Sequence, residues 1–171
     1  MKTVKYVFAS VMAMALLMNC GGEKKKEEEP SNQLKIKAAE TTKADENVAN
    51  IVITGNDMMQ FNLKEIKVKA GQKVKLTLRH IGKLDKKIMG HNVVILKKGV
   101  DMVEFAINKA ASNAANDYIP EDTKDIIAYT KLIGGGETTT IEFDAPPAGE
   151  YTFLCSFTGH YGMMNGKFIV E

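Results

Sequence analysis

Residues 138–170 read TTTIEFDAPPAGEYTFLCSFTGHYGMMNGKFIV, and this stretch sets the fold class. Thr138 to Phe143, Tyr151 to Cys155 and Lys167 to Val170 are short runs of apolar, β-branched and aromatic residues, separated by segments rich in Pro and Gly. Such runs predict strands, because an extended chain turns successive side chains to opposite faces and needs Gly, Pro, Asn or Asp where it reverses. Working outward, Val48 to Thr54, Leu63 to Val68, Val74 to His80 and Asn92 to Leu96 carry the same signal. Seven short strands predict an all-β sandwich. Between Leu96 and Thr138 the pattern changes. Met102 to Ala115 is Ala-rich and helical in character, and Pro120-Glu121-Asp122-Thr123 resembles a helix start, so a short helical flap is expected as an insertion in the sandwich. No internal repeat is found.

The N-terminus sets the expected compartment. Lys2 and Lys5 precede an apolar run from Val7 to Met18, too short for an ordinary membrane span and placed as in an export signal. Leu17-Met18-Asn19-Cys20 ends that run, and a Leu three residues before a Cys resembles a bacterial lipoprotein signal, with Asn19 in place of the usual small residue. Residues 1–19 are therefore expected to be a signal peptide and Cys20 to be lipidated. Residues 20–45, with the charge block Glu23-Lys24-Lys25-Lys26-Glu27-Glu28-Glu29, have too few apolar side chains to offset the entropy of ordering them and are expected to form a disordered tether. Residues 46–171 would form one folded domain. The expected location is the periplasm or cell envelope, on a membrane through the anchor.

Charge excludes one class of partner. The chain has 23 basic and 21 acidic residues, and removing Lys2 and Lys5 with the signal leaves 21 of each. With no excess of positive charge to hold a phosphate backbone, nucleic acid is not an expected partner.

The strongest chemical signal is Cys155-Ser156-Phe157-Thr158-Gly159-His160-Tyr161-Gly162-Met163-Met164. A thiolate, an imidazole and a thioether within ten residues favour copper, which must be held both as Cu(I), preferring sulfur, and as Cu(II), accepting imidazole. Gly159 and Gly162 are expected to supply the tight turns that bring Cys155, His160 and Met164 round one point. His91, in Gly90-His91-Asn92, is the candidate for a second imidazole, with Met164 as a long axial ligand. A lone buried Cys or Met is more often core filling. An exported chain whose other Cys is an acylation site, however, has no evident use for an unpaired thiol. His80 alternates with Val74, Leu76 and Leu78 on one strand face and is read as a hydrogen-bonded core histidine rather than a ligand. Two other classes stay open on these residues. One is a copper or zinc binding or storage protein without redox turnover; the other is an enzyme using Cys155 as nucleophile and His160 as base.

At these residues the chain resembles the azurins, blue-copper cupredoxins of bacterial respiratory chains. The resemblance runs from roughly Ile53 to the C-terminus, through Gly55-Asn56-Asp57, Met59-Gln60-Phe61, Met89-Gly90-His91-Asn92, Tyr129-Thr130-Lys131-Leu132-Ile133-Gly134 and the Cys155 to Met164 loop. It implies a cupredoxin-like Greek-key β-sandwich holding one type 1 copper ion. His91, Cys155 and His160 would be equatorial ligands, Met164 a weak axial one and the Gly90 carbonyl a more distant axial contact. Asn92, Ser156 and Phe157 would surround the ligands, with Asn92 tying its strand to the residue after the Cys. Met59, Leu84, Ile88, Met89, Gly159, Gly162 and Met163 would form an apolar docking patch around the exposed edge of His160.

Departures from the family carry expectations of their own. The family's disulfide has no cysteines here, so packing and copper must hold the domain. Val93 stands where a core Trp is frequent, which predicts a smaller or rearranged core. Thr158 stands where Pro is common, and its backbone N–H is expected to reach the thiolate and raise the reduction potential. With four protein ligands and no open position for substrate, the expected function is single-electron transfer between respiratory redox partners through Cu(II)/Cu(I), not catalysis. By resemblance, c-type cytochromes, a peroxidase or denitrification enzymes are the expected partners.

Overall fold

The computed structural model describes residues 47–171; the expected signal peptide, Cys20 and the tether lie outside the described residues. The strands are β1 (Val48–Asn56), β2 (Gln60–Phe61), β3 (Glu65–Val68), β4 (Lys73–His80), β5 (Val94–Leu96), β6 (Ile126–Tyr129), β7 (Thr138–Asp144), β8 (Gly149–Leu154) and β9 (Asn165–Val170). They form two sheets, ordered β2-β1-β4-β7 and β3-β9-β8-β5-β6. The chain passes repeatedly from one sheet to the other, giving the expected Greek-key sandwich. Both sheets are mixed, because β1 runs parallel to β4 and β3 parallel to β9.

Alternation explains the packing. On β4, Val74, Leu76, Leu78 and His80 are buried while Lys73, Lys75 and Arg79 face water. The buried face meets Ile53, Ile66, Val68, Phe153, Phe168 and Val170 between the sheets. Val93 lies in this same core, fully buried, at the position expected to call for a smaller core. A second cluster sits on the outer face of the second sheet, where Val94, Leu96, Ile126 and Leu154 pack against Phe105, Ala106, Ala110 and Ile119. Strand β5 is therefore covered on both faces and reads as a continuous apolar run. Adjacent residues at the end of β8 divide between the clusters: Leu154 turns toward the flap and Cys155 toward the inter-sheet core.

Three expectations need correction. The segment after Pro120-Glu121-Asp122-Thr123 is not helical, since Ile126–Tyr129 pairs with β5 as an edge strand. Its four residues alternate poorly, which hid them in the sequence. The flap itself starts as expected at α2 (Met102–Glu104), capped by the Asp101 side chain on the Glu104 amide, but then widens to π winding over Phe105–Ala110 and tightens to 3-10 winding over Ala111–Asn116. Asn92 precedes β5 rather than opening it, and His91 meets Ile133 in an isolated bridge. A one-turn helix, α1 (Lys86–Met89), capped by Asp85, precedes Gly90 and His91.

The turn before β8 is tied by the Tyr151 hydroxyl, which donates to the Pro147 carbonyl at 2.7 Å. Tyr151→Phe keeps the ring in the core and removes only this bond. A loss of about 1 kcal/mol in urea unfolding is expected, and no loss at all would show that the hydroxyl does not hold the turn.

Candidate metal centre

The loop after β8 folds through its own backbone. The His160 amide donates to Phe157 O, the Met163 and Met164 amides both donate to His160 O, and the Cys155 amide donates to Met164 O at 2.8 Å. These bonds turn the chain back on itself so that Cys155, His160 and Met164 are all buried. Gly159 has φ of +83°, a conformation that side chains disfavour, so the tight turn does fall there. Gly162 has no left-handed φ and open space around it, so the expected need for glycine at that position is not met.

His91 arrives from the other side, behind α1. Its Nε2 bonds to the Asn56 carbonyl oxygen at 2.9 Å, which makes Nε2 the protonated nitrogen and leaves a lone pair on Nδ1. That Nδ1 is the buried side-chain nitrogen or oxygen without a hydrogen-bond partner among the described residues. Ligand atoms of His91, Cys155 and His160 lie within 4.8 Å of one another. His160 Nδ1 is 3.7 Å from Cys155 Sγ, and Gly90 O is 3.9 Å from the same sulfur. A buried imidazole lone pair with no partner costs free energy unless something accepts it. Here a thiol and a second imidazole face the same point, so the donor set fits copper.

Glycines admit this approach by absence of bulk. A Cβ on Gly55 would lie 2.7 Å from His91 Cδ2 and 3.4 Å from Met164 Cε, placing the Met164 side chain beside His91. A Cβ on Gly90 would lie 2.4 Å from Lys86 O.

The two halves of the site are joined by a buried polar link. The Ser156 amide donates to Asn92 Oδ1 at 2.8 Å, while Asn92 Nδ2 donates to Ser156 Oγ at 2.8 Å and to Asp117 O at 3.0 Å. His80 also behaves as a satisfied core residue. Its Nε2 meets Met89 O at 2.8 Å, its Nδ1 accepts from the Gly82 amide at 3.0 Å, and its ring stacks on His91 at 4.3 Å. Phe157 lies with its ring centroid 4.5 Å from that of His160.

Electrostatically the site favours neutral groups. Burial pushes the Cys155 thiol up to about 12, against the opposing effect of hydrogen bonds from the Asn92 and Phe157 amides. Thr158 is not among the amides that reach the sulfur, so the expected contribution of its N–H is not found. Burial, with the neighbouring His91 and His80, lowers His160 to about 4, and burial likewise lowers His91. A thiol held this far above neutrality is a poor nucleophile in the metal-free protein. A metal ion could take it only by displacing its proton.

Of the apolar residues expected around His160, Leu84, Ile88 and Met163 are exposed by 40%, 64% and 49%, Met59 and Met89 are half-buried, and Gly159 and Gly162 are exposed. The sequence reading missed the supports behind the candidate ligands. The Asn56 carbonyl holds His91, and the Asp57 carboxylate accepts the Lys83 and Leu84 amides at 2.8 and 3.3 Å, fixing the loop that leads into α1. Only the run Gly55-Asn56-Asp57 hinted at them, and a carbonyl leaves no mark in a sequence.

Residues 47–171 match the family model described as copper binding proteins, plastocyanin/azurin family. The chain is 44% identical over 121 residues to Azurin-1 of Alcaligenes xylosoxydans xylosoxydans, covering 68% of this chain and 93% of that protein. It is 42% identical over 118 residues to outer membrane protein H.8 of Neisseria meningitidis, covering 67% of this chain and 63% of that protein. Among solved structures, auracyanin A, a "blue" copper protein from Chloroflexus aurantiacus, superposes with a TM-score of 0.65 at 33% identity, covering 72% of this chain and 99% of that one. The azurin Az-iso2 of Methylomonas sp. strain J also gives 0.65, at 31% identity over 72% of this chain and 98% of that one. A sandwich that brings two imidazoles and a buried thiol to one point, matched by these relatives, means that the chain belongs to the plastocyanin/azurin family of copper-binding proteins and is built for a single type 1 copper ion.

Proposed function

We propose that this protein carries single electrons between redox proteins of the cell envelope, using a copper ion that His91 Nδ1, Cys155 Sγ, His160 Nδ1 and, more weakly, the Met164 thioether would hold, with the Gly90 carbonyl close to the Cys155 sulfur. The observation that carries the proposal is the buried, partnerless Nδ1 of His91, a residue tied from behind through Nε2 and clustered with Cys155 and His160 so that one ligand atom of each lies within 4.8 Å of the others. When bound, copper supplies a one-electron Cu(II)/Cu(I) couple. The protein's part is to fix the donors before the ion arrives and to keep water from them. The Asn56 carbonyl sets the His91 tautomer, the Asn92–Ser156 link holds the Cys155 strand end against the His91 segment, and the core on either side excludes solvent.

His160, at 3% exposure, is the proposed exit for the electron, with exposed Met163, Leu84 and Ile88 and half-buried Met59 as the proposed apolar rim. An apolar rim allows a partner to dock weakly and leave quickly. The partners are, in this proposal, c-type cytochromes, a peroxidase or denitrification enzymes. Residues 46–171 form the electron-carrying domain, residues 1–19 the export signal, and residues 20–45 a tether from a lipidated Cys20, which makes the protein a membrane-anchored lipoprotein of the periplasm or envelope. The outer-membrane name of the neisserial relative supports that location. Among the described residues no helix is long and apolar enough to cross a membrane.

The test is the optical and paramagnetic spectrum of the copper-loaded protein beside a Cys155→Ser variant. The parent is expected to be intensely blue when oxidised and to bleach reversibly with a mild reductant, and the variant to lack the blue band altogether. A colourless parent, or a blue variant, ends the assignment.

A further inference from the structure

The segment from His160 to Asn165 presents a run of backbone carbonyls, each of which needs a donor. His160 O takes the Met163 and Met164 amides, and Met164 O takes the Cys155 amide. Tyr161 O and Gly162 O both accept from Asn165 Nδ2, at 2.7 and 3.2 Å. Met163 O and Asn165 O, the two carbonyls flanking Met164, accept from Lys64 Nζ at 2.6 and 3.2 Å. Lys64 lies 99 residues from Met163 in sequence, just ahead of β3. Among these donors it is the one that carries a charge, and no carboxylate pairs with it among the described residues: Glu65 pairs with Lys67, and Glu150 with Lys167.

We infer that Lys64 is a positioning residue for the copper loop, whose ammonium clamps the carbonyls on either side of Met164 and raises the reduction potential by setting a positive charge beside the centre. The inference rests on the proposed ligation of copper by Met164. A charge-assisted hydrogen bond is shorter and stronger than a neutral one, as the 2.6 Å contact illustrates. The two bonds from one ammonium fix the peptide plane before Met164 and the plane after Asn165, and the plane between them is held through Met164 O by the Cys155 amide, with the Met164 amide on His160 O. The thioether is thereby left little freedom to approach or retreat. The charge acts in one direction. Oxidation adds a positive charge to the centre, so a nearby ammonium disfavours the oxidised state and favours the reduced one. Because Lys64 is exposed, salt must weaken this effect.

The experiment compares copper-loaded parent, Lys64→Met, Lys64→Arg and Met164→Leu chains by redox titration at low and high ionic strength. Lys64→Met keeps the chain length and removes the charge and the donor. It should remain folded and blue, with the equilibrium constant for electron exchange against a fixed reference shifted roughly threefold to tenfold toward oxidation, about 30–60 mV for a one-electron couple. That difference should shrink at high salt. Lys64→Arg should retain most of the parent potential. An unshifted Lys64→Met chain, or a Lys64→Arg chain that falls as far as Lys64→Met, overturns the inference. A Met164→Leu chain with the parent's potential removes the ligand assignment and this inference with it. A shifted Met164→Leu chain beside an unshifted Lys64→Met chain removes this inference alone.

Discussion

Asn92→Ala is expected to destabilise the domain by roughly 3–5 kcal/mol, several times the loss from removing an ordinary hydrogen bond. Asn92 and Ser156 are both buried, so no water is at hand to replace what the amide side chain provides. Truncation orphans the Ser156 amide, bonded to Oδ1 at 2.8 Å, and takes the Nδ2 donor from Asp117 O. A buried backbone group left without a partner costs about 1–3 kcal/mol, and two are affected here, together with a small cavity. For a domain of this size the midpoint of thermal unfolding should fall by roughly 10–20 °C. Ser156→Ala is the control. It keeps the amide bond to Oδ1 and deletes the hydroxyl, which donates to Tyr118 O at 3.0 Å and accepts from Asn92 Nδ2 at 2.8 Å; Nδ2 keeps Asp117 O, so a smaller loss of about 1–2 kcal/mol is expected. If both variants lose under 1 kcal/mol, the link between the two halves of the site is not a source of stability.

Acid should destabilise the metal-free protein well before its carboxylates matter. His160 titrates near 4 in the folded chain and near 6.5 when unfolded, and His91 is lowered in the same direction, in both cases through burial first. Above pH 6.5 neither state holds the proton and the full stability is present. Between 6.5 and about 4 the unfolded chain binds protons that the folded chain refuses, so stability falls with pH; below about 4 this group contributes no further loss. The shift of His160 corresponds to a loss on the order of 3 kcal/mol, and His91 adds to it less than independently because the two imidazoles interact. Asp57 and Asp122 lie below 3.8, so their contribution is lost at lower pH and does not blur the window. Cys155 acts at the other end: raised from 9.0 to about 12, it contributes stability that is complete below 9 and lost as pH rises toward 12. Urea unfolding of the copper-free protein from pH 7.5 to 4 is the measurement, with a midpoint falling by roughly 1–3 M. A flat midpoint across that range would mean that the imidazoles are not held neutral. Copper held as proposed would keep the same nitrogens deprotonated, so the loaded protein should resist acid until the ion itself is displaced.

How much of this was legible depended on sequence distance. Cys155, His160 and Met164 could be singled out together because one loop carries all three, and donor residues five and nine positions apart leave a local signature. Seven strands could be read because alternation of buried and exposed side chains is written directly in residue order. Strand β2, two residues long, is too short to alternate, and β6 is an edge strand with a weak pattern beside a helix-like start. The changing winding of the flap was likewise hidden, since it follows from covering β5 and β8 rather than from propensity. His91 was placed by resemblance and by the need for a second imidazole, not by any local pattern.

The amino-acid sequence by itself determined the donor chemistry, the strand-rich sandwich and the near balance of charge, because these depend on residue type and on neighbours within a few positions. Only the tertiary structure decided which nitrogen of His91 is free, which amides reach the Cys155 sulfur, and that Lys64 reaches across 99 residues to the carbonyl of Met163. Those are contacts made by backbone atoms that every residue possesses. Their identity is fixed by where the two sheets bring the chain together, and no choice of side chain announces it.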